Sequence, residues 1–561
     1  MTGDGGGAAQ VTWTTVDGVR VVHADEPGPL RASLVFRVGK TDETLPTNGI
    51  THLVEHLTLF PLGQRPHYQN GSVRTSVTTF DVSGEADEVA RFLTGVCTGL
   101  RALPIDRLET EVRVLDTEAG HRGYGMASTL LTWRFGPSGP GLWAYDELAT
   151  STVDGGRLQA WADERFTKQN AVLVLSGPPP AGLELPLGEG GSFPVPALAD
   201  VLPSMPSWFR HGYPDVAALA PIRRSIAAVA YAHCLRDALI DRLRFDQGIA
   251  YSPTVDYDPY DDDTALLWIV GDSHPEHLED VTDVLTSTIA SLAEDGPTSE
   301  KVEEYRTTAR RMWDSPDAPT SRAYSEALEL LFSGSLKPIE ERMADLESLT
   351  LADVHAVART AKDSMLYALP EDVEMPEGQA EPAPELSTEP AVDGVVHEAL
   401  VLDLENADRL ILGDEGVSVV RHDGVHATVR FASCRGVLAW PDGRRVLIAP
   451  DGVSVTVEPT LWERGEDVVA AIDEATAAVR VPRPERAPED IPVPTLPQTI
   501  KRDFGSRRTG SKVMMGAGVG LTVLGVTSAV SALGSPTGGT FSRAIPIVWG
   551  LSLFFWGLVR D

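Results

Sequence analysis

Gly49-Ile50-Thr51-His52-Leu53-Val54-Glu55-His56-Leu57 decides how this chain is read. Its core, His-x-x-Glu-His, is a zinc-binding signature with the central order inverted. On a helix turning about 100° per residue, His52 and His56 lie about 40° apart, with Glu55 about 60° to the other side of His52. Ile50, Leu53, Val54, Leu57 and Phe60 cover the opposite arc, the pattern of a helix seated on a core. Two neutral imidazoles at this spacing can reach one Zn²⁺ at roughly 2.0–2.1 Å. Glu55 would then stand beside the open coordination position, as acceptor for a proton of water. The same three residues would equally decorate a solvated helix face. The metal reading therefore needs a third ligand, because a catalytic zinc has three protein ligands and one exchangeable position.

A second helix supplies the candidate. Between Pro104 and Gly120, Ile105, Leu108, Val112, Leu115 and Ala119 recur by three and four as one buried stripe. Glu111 and Glu118, two turns apart, border that stripe, where a surface helix would normally keep carboxylates away. Either they face something positive, or they pair with Arg113 or Arg122 at the helix boundary.

His52-x-x-Glu55-His56 followed by Glu111-x6-Glu118 resembles the M16 family of metallopeptidases, the group of pitrilysin, insulinase and mitochondrial processing peptidase. The run Val38-Gly39-Lys40-Thr41-Asp42-Glu43 before Gly49 is similar to that family's approach to its motif. The resemblance implies Zn²⁺ as cofactor, held by His52, His56 and Glu118. It makes Glu55 the catalytic base and Glu111 a carboxylate supporting the site from behind the ligands. One departure is the spacing: His56 and Glu118 are 62 residues apart, shorter than the family leads one to expect. The shortening falls after Phe60, at Pro61-Leu62-Gly63-Gln64-Arg65-Pro66. Asn70, with Thr78 and Phe80, is a loose match to the substrate-facing edge strand. Further on, Leu243-Arg244-Phe245-Asp246-Gln247-Gly248-Ile249-Ala250-Tyr251-Ser252 resembles the family's substrate-holding segment, which implies that Arg244 and Tyr251 bind substrate. Such a guanidinium and phenol suit a developing oxyanion. Read alone, that segment is a helix end, a Gly turn and a strand.

The family builds a closed chamber from two halves, and this chain carries one zinc domain and one Arg244/Tyr251 domain. The resemblance therefore implies a homodimer, or a heterodimer with a related subunit. It also implies a polypeptide substrate, bound by edge-strand pairing. The alternative is a catalytically inactive M16-like subunit that binds polypeptides or scaffolds a membrane complex.

The chain has 561 residues, with 81 acidic against 47 basic side chains and a net charge of −34. That balance excludes nucleic acid as an expected partner. Cys97, Cys234 and Cys434 are widely separated and match no disulfide or zinc spacing, so they read as core residues in a reducing compartment. The N-terminus has no secretory hydrophobic stretch. At the other end, Val513 to Leu533 is 21 uncharged residues, long enough to cross a bilayer. Ala544 to Val559 is a shorter second span that Arg543 could extend by snorkelling. Lys501, Arg502, Arg507, Arg508 and Lys512 precede the first span, which puts the catalytic part on the cytoplasmic side of the membrane.

The expected fold class is α+β. Two tandem α/β-sandwich domains (1–195 and 207–367) form one peptidase half, joined through a Pro- and Gly-rich linker at 178–206. Strands are expected at Val19–Val22, Ala32–Val38, Ala171–Ser176, Ile226–Tyr231 and Thr264–Val270. An acidic, Pro-rich spacer at 368–395 leads to a β-rich module at 396–482. Its Asp-Gly turns and closing helix from Glu466 to Val479 resemble a pleckstrin-homology-like domain, which reads equally as a binder of lipid or a partner and as a spacer. A Pro-rich, then basic, linker (483–511) precedes the transmembrane hairpin (512–561).

Overall fold

A computed structural model describes residues 11–494 except 64–67, 122–124, 251–252, 315–318 and 401–406. Tyr251 and the expected transmembrane hairpin lie outside the described residues. Among the described residues, no helix is long and apolar enough to cross a membrane. The chain divides into two units, the first running to Ala383 and the second beginning at Pro384.

The first unit opens with β1 (Thr12–Val16), β2 (Val19–His23) and β3 (Leu30–Phe36), then α1 (Ile50–Leu59). Next come β4 (Tyr68–Val73), β5 (Thr78–Gly84), α2 (Ala86–Arg101) and α3 (Leu108–His121). After α4 (Met126–Phe135), α5 (Ala149–Thr152) and α6 (Gly155–Arg165), β6 (Ala171–Leu175) completes a sheet in the order β1-β2-β6-β3-β5-β4. The central strands are apolar on both faces, so alternation decides which residue goes where. Val21, Leu34 and Leu173 face α1 and α2, packing on Leu53, Val54, Leu57, Phe92 and Leu93. Their neighbours Val22, Val35, Val172 and Val174 face the other way.

The second sheet is built from β7 (Ser207–His211), β8 (Val216–Arg223), β9 (Thr254–Pro259), β10 (Thr264–Gly271), β11 (Leu366–Pro370) and β12 (Glu381–Pro382), ordered β12-β7-β11-β8-β10-β9. Its helices are α7 (Ile226–Ile240), α8 (Leu278–Glu294), α9 (Ser299–Asp314), α10 (Pro319–Ser333), α11 (Ile339–Ser348) and α12 (Leu351–Asp363). Val216, Ala218 and Ala220 of β8 pack towards α7, α8 and α12.

The two sandwiches exchange helices. α10 lies in sequence between β10 and β11 of the second sheet, yet its Ala323, Ala327 and Leu331 cover Val22, Val35, Val172 and Val174 of the first sheet. In return, α4 of the first domain lays Met126, Leu130, Leu131 and Phe135 on Ala217, Leu219, Leu266 and Leu366 of the second. Small alanines on α10 let its backbone approach the sheet closely. The Pro- and Gly-rich stretch between the domains is tied down. Buried Arg37 donates to the carbonyls of Phe193 and Pro194 while pairing with Asp42. Leu183, Leu185 and Leu187 enter the first core.

Two expectations change. Ile226–Tyr231 is not a strand but the first turns of α7. Ser225 caps it by accepting from the Ala228 amide, alanine favours the helix, and burial on several sides erases the helical period that would have distinguished it. The strand is β8, just upstream. The acidic spacer also begins later than 368: β11 is fully buried between β7 and β8, and β12 pairs with β7.

The second unit has β13 (Val395–Glu398), β14 (Arg409–Gly413), β15 (Gly416–Val420) and β16 (His426–Arg430) in one sheet. β17 (Gly436–Ala439), β18 (Arg445–Ile448), β19 (Ser454–Val457) and β20 (Arg480–Pro482) form another, with α13 (Gly465–Ala475) packed on a shared core through Val468 and Ile472. Gly424, Gly443 and Gly452 of the three Asp-Gly turns take φ of 88°, 94° and 83°, the conformation tight hairpins ask of glycine. The pleckstrin-homology resemblance is not supported. The helix does not close the unit: the chain continues into β20, which pairs parallel to β17. Cys97, Cys234 and Cys434 are buried free thiols.

Candidate metal centre

α1 is anchored before its first turn. The buried Glu43 carboxylate accepts from the backbone N–H of Gly49 at 2.7 Å and Thr51 at 3.0 Å, satisfying amides that a helix start leaves unpaired. Burial pushes the Glu43 carboxyl up from its ordinary value, partly offset by Lys40 and these amides. Gly49 itself has φ 97°, a left-handed conformation that glycine reaches at little cost.

From that anchor, His52 and Glu55 project from α1 as buried side chains and His56 as a largely buried one. The imidazole rings stand edge-on, centroids 4.7 Å apart. Candidate ligand atoms of His52, Glu55 and His56 lie within 4.8 Å of one another. α3 packs on α1 and brings Glu118 to both rings: its carboxylate oxygens are 3.9 Å from His52 Nε2 and 3.7 Å from His56 Nε2. Ligands about 2.0–2.1 Å from one tetrahedral ion are about 3.4 Å apart, so this spacing suits two imidazoles and a carboxylate around one zinc. Glu55 Oε2 is 3.8 Å from His52 Nε2 and 3.9 Å from His56 Nε2. The Glu118 side chain is 41% exposed, which marks the solvent side of the cluster.

Behind the ligands, Glu111 is buried with one oxygen 3.4 Å from His56 Nδ1 and the other accepting from Arg107 at 3.2 Å. Its basic partner is therefore Arg107, not Arg113, which donates to Thr110. The residue sequence reasoning missed is Glu147. Its carboxylate is 2.9 Å and 3.1 Å from His52 Nδ1, and Lys40 Nζ lies 3.4 Å from it. Glu147 sits in an irregular segment 95 positions from His52. No periodicity or local spacing could have pointed to it.

Of the expected substrate-binding residues, Asn70 is exposed on β4, the edge strand of its sheet. Its neighbour Gly71 faces Glu55, so closely that a Cβ there would overlap Glu55 Oε1. Alternation turns Asn70 to the opposite face. The structure thus brings β4 backbone, rather than the Asn70 side chain, to Glu55. Arg244 is exposed in the segment Asp241–Asp246 that extends α7, its guanidinium 5.6 Å from the Phe245 ring.

Residues 216–309 match the family model described as Peptidase M16 inactive domain. No curated protein matches the chain. A protease from Helicobacter pylori has a similar solved structure at 14% identity and TM-score 0.53, covering 65% of this chain and all of that one. A peptidase M16 inactive domain from Pseudomonas fluorescens is similar at 14% identity and TM-score 0.52, covering 67% and 100%. The periplasmic protease PqqL from Escherichia coli is similar at 11% identity and TM-score 0.51, covering 75% of this chain and 55% of that one. The residues matched by the family model lie in the second sandwich and exclude His52, Glu55, His56, Glu111 and Glu118. The chain has a mixed helix-and-sheet M16 peptidase-like fold, and its residues 216–309 are the part similar to the inactive-domain model.

Proposed function

We propose that this chain is a zinc-dependent endopeptidase acting on small or unfolded polypeptides, tethered by residues 512–561 to the cytoplasmic face of a membrane. The observation that carries it is the shared aim of the two imidazoles. Both Nδ1 atoms lie beside carboxylates, Glu147 at His52 and Glu111 at His56, and both Nε2 atoms face Glu118. Two nitrogens and a carboxylate oxygen are the donor set of a catalytic zinc. His52, His56 and Glu118 would hold the ion, which when bound supplies Lewis acidity towards water and the scissile carbonyl. Glu55 accepts the proton of the attacking water and later passes it to the leaving amine. The free edge of β4 pairs with an extended substrate strand through main-chain hydrogen bonds, and Gly71 leaves that strand next to Glu55. The full chain is expected in the membrane fraction and, purified in detergent, to carry one zinc per polypeptide by elemental analysis. His52→Ala is expected to abolish that stoichiometry. Wild-type protein holding no zinc would remove the peptidase reading.

We further infer that Arg244 and Tyr251 of one half serve the zinc of another, which makes the enzyme a homodimer or a heterodimer with a related subunit. The length comparison supports a single half, since this chain spans 55% of PqqL. Mixing inactive Arg244→Ala and Glu55→Gln chains should restore part of the activity, because one composite site keeps both residues. Activity no higher than either parent alone would exclude site sharing. The competing reading, an inactive polypeptide-binding subunit of a membrane complex, draws on the match to an inactive-type domain. It predicts stable substrate capture without cleavage.

A further inference from the structure

Each histidine of the cluster has its own carboxylate, and each carboxylate its own cation. Arg107 holds Glu111 beside His56, and Lys40 holds Glu147 beside His52. The second arrangement is the more enclosed. Lys40 is 3% exposed, whereas the Arg107 side chain is 34% exposed. Lys40 Nζ lies between two carboxylates, 3.6 Å from Glu43 and 3.4 Å from Glu147, and 5.2 Å from the Trp143 ring centroid. A buried ammonium is costly unless paired, so its place between two acids is a charge arrangement rather than a surface accident.

Glu147 is also fixed sterically. A Cβ at Gly49 would sit 2.6 Å from Glu147 Cβ, so the start of α1 has no side chain where Glu147 crosses it. The same helix start is held by Glu43. Lys40 therefore joins the group that anchors α1 to the group that touches His52.

We propose that Glu147, held by Lys40, is the positioning residue for His52. Its carboxylate keeps the ring proton on Nδ1 and turns the Nε2 lone pair towards His56 and Glu118. A carboxylate on the far nitrogen fixes the ring's tautomer and orientation and raises the basicity of the near one. This inference rests on the zinc reading only for its metal consequence. The tautomer consequence stands without metal.

The test uses the full chain in two forms. In metal-free protein labelled with ¹⁵N in its histidine rings, the His52 signals, identified by their loss in His52→Ala, should show protonated Nδ1 at neutral pH. Glu147→Ala should move that proton to Nε2 or leave a mixture. Glu147→Gln, whose amide oxygen still accepts, should largely preserve the wild-type pattern. Zinc affinity, measured by competition with a chromophoric chelator, should weaken about 10–100-fold in Glu147→Ala and less in Glu147→Gln. Lys40→Met should weaken zinc binding in the same direction, with Lys40→Arg recovering part of the loss. An unchanged His52 tautomer in Glu147→Ala would overturn the proposal. So would a change of tautomer with no change in affinity in a protein that binds zinc. If wild type binds no zinc while the tautomer still follows residue 147, the peptidase reading fails and the positioning role stands.

Discussion

Glu55→Gln will leave zinc bound and the fold intact while lowering kcat for peptide hydrolysis by about 10²–10⁴-fold, the usual contribution of a placed general base. Its side chain is buried against the β4 edge at Gly71, and its Oε2 lies 3.8–3.9 Å from both Nε2 atoms. Glutamine has nearly the same shape, so the substitution removes proton acceptance without opening a cavity. Glu55 is also not among the three proposed ligands, which separates its effect from that of His52→Ala. The measurement is kcat and KM on an unstructured peptide beside zinc content and thermal unfolding of the same samples. Wild-type turnover in Glu55→Gln would eliminate this residue as the base, whatever the metal content.

The second large effect concerns folding. A fragment of residues 1–205 is expected to remain unfolded or aggregate, although it contains the first sheet and all of the candidate ligands. Without α10, Val22, Val35, Val172 and Val174 lose the cover of Ala323, Ala327 and Leu331. Exposing four such side chains costs about 1.5–3 kcal/mol each as an upper bound, on the order of a domain's whole stability of about 5–15 kcal/mol. The fragment also exposes the apolar face of α4. The milder variant Leu130→Ala should fold, but lose about 2–5 kcal/mol by emptying space against the second sheet. Circular dichroism and denaturant unfolding decide both cases. A cooperatively folding 1–205 fragment would show that the exchanged helices are dispensable.

The two predictions differ in how they could have been reached. The placement of Glu55 beside the two imidazoles was legible from five consecutive residues, because a helix of fixed pitch converts spacing directly into a shared face. Glu111 and Glu118 were legible for the same reason, since both border one periodic stripe on α3. Strands β2, β3 and β6 of the first sheet and the Asp-Gly hairpins of the second unit were likewise written in local pattern and turn chemistry. α7 was not, because a helix buried on several sides has no polar face to betray its period. β11 was masked by the acidic, proline-rich stretch that follows it.

By itself, the sequence determined that two imidazoles and a carboxylate would share a helix face, and that a second helix would offer carboxylates at its boundary. Those are local consequences of backbone geometry. Only the tertiary structure decided that Glu118 reaches both rings, that Glu147 and Lys40 stand behind His52, and that each sandwich is closed by a helix from the other. Such contacts join residues tens to hundreds of positions apart. Their distances follow from how whole faces pack, and no short window of sequence encodes that.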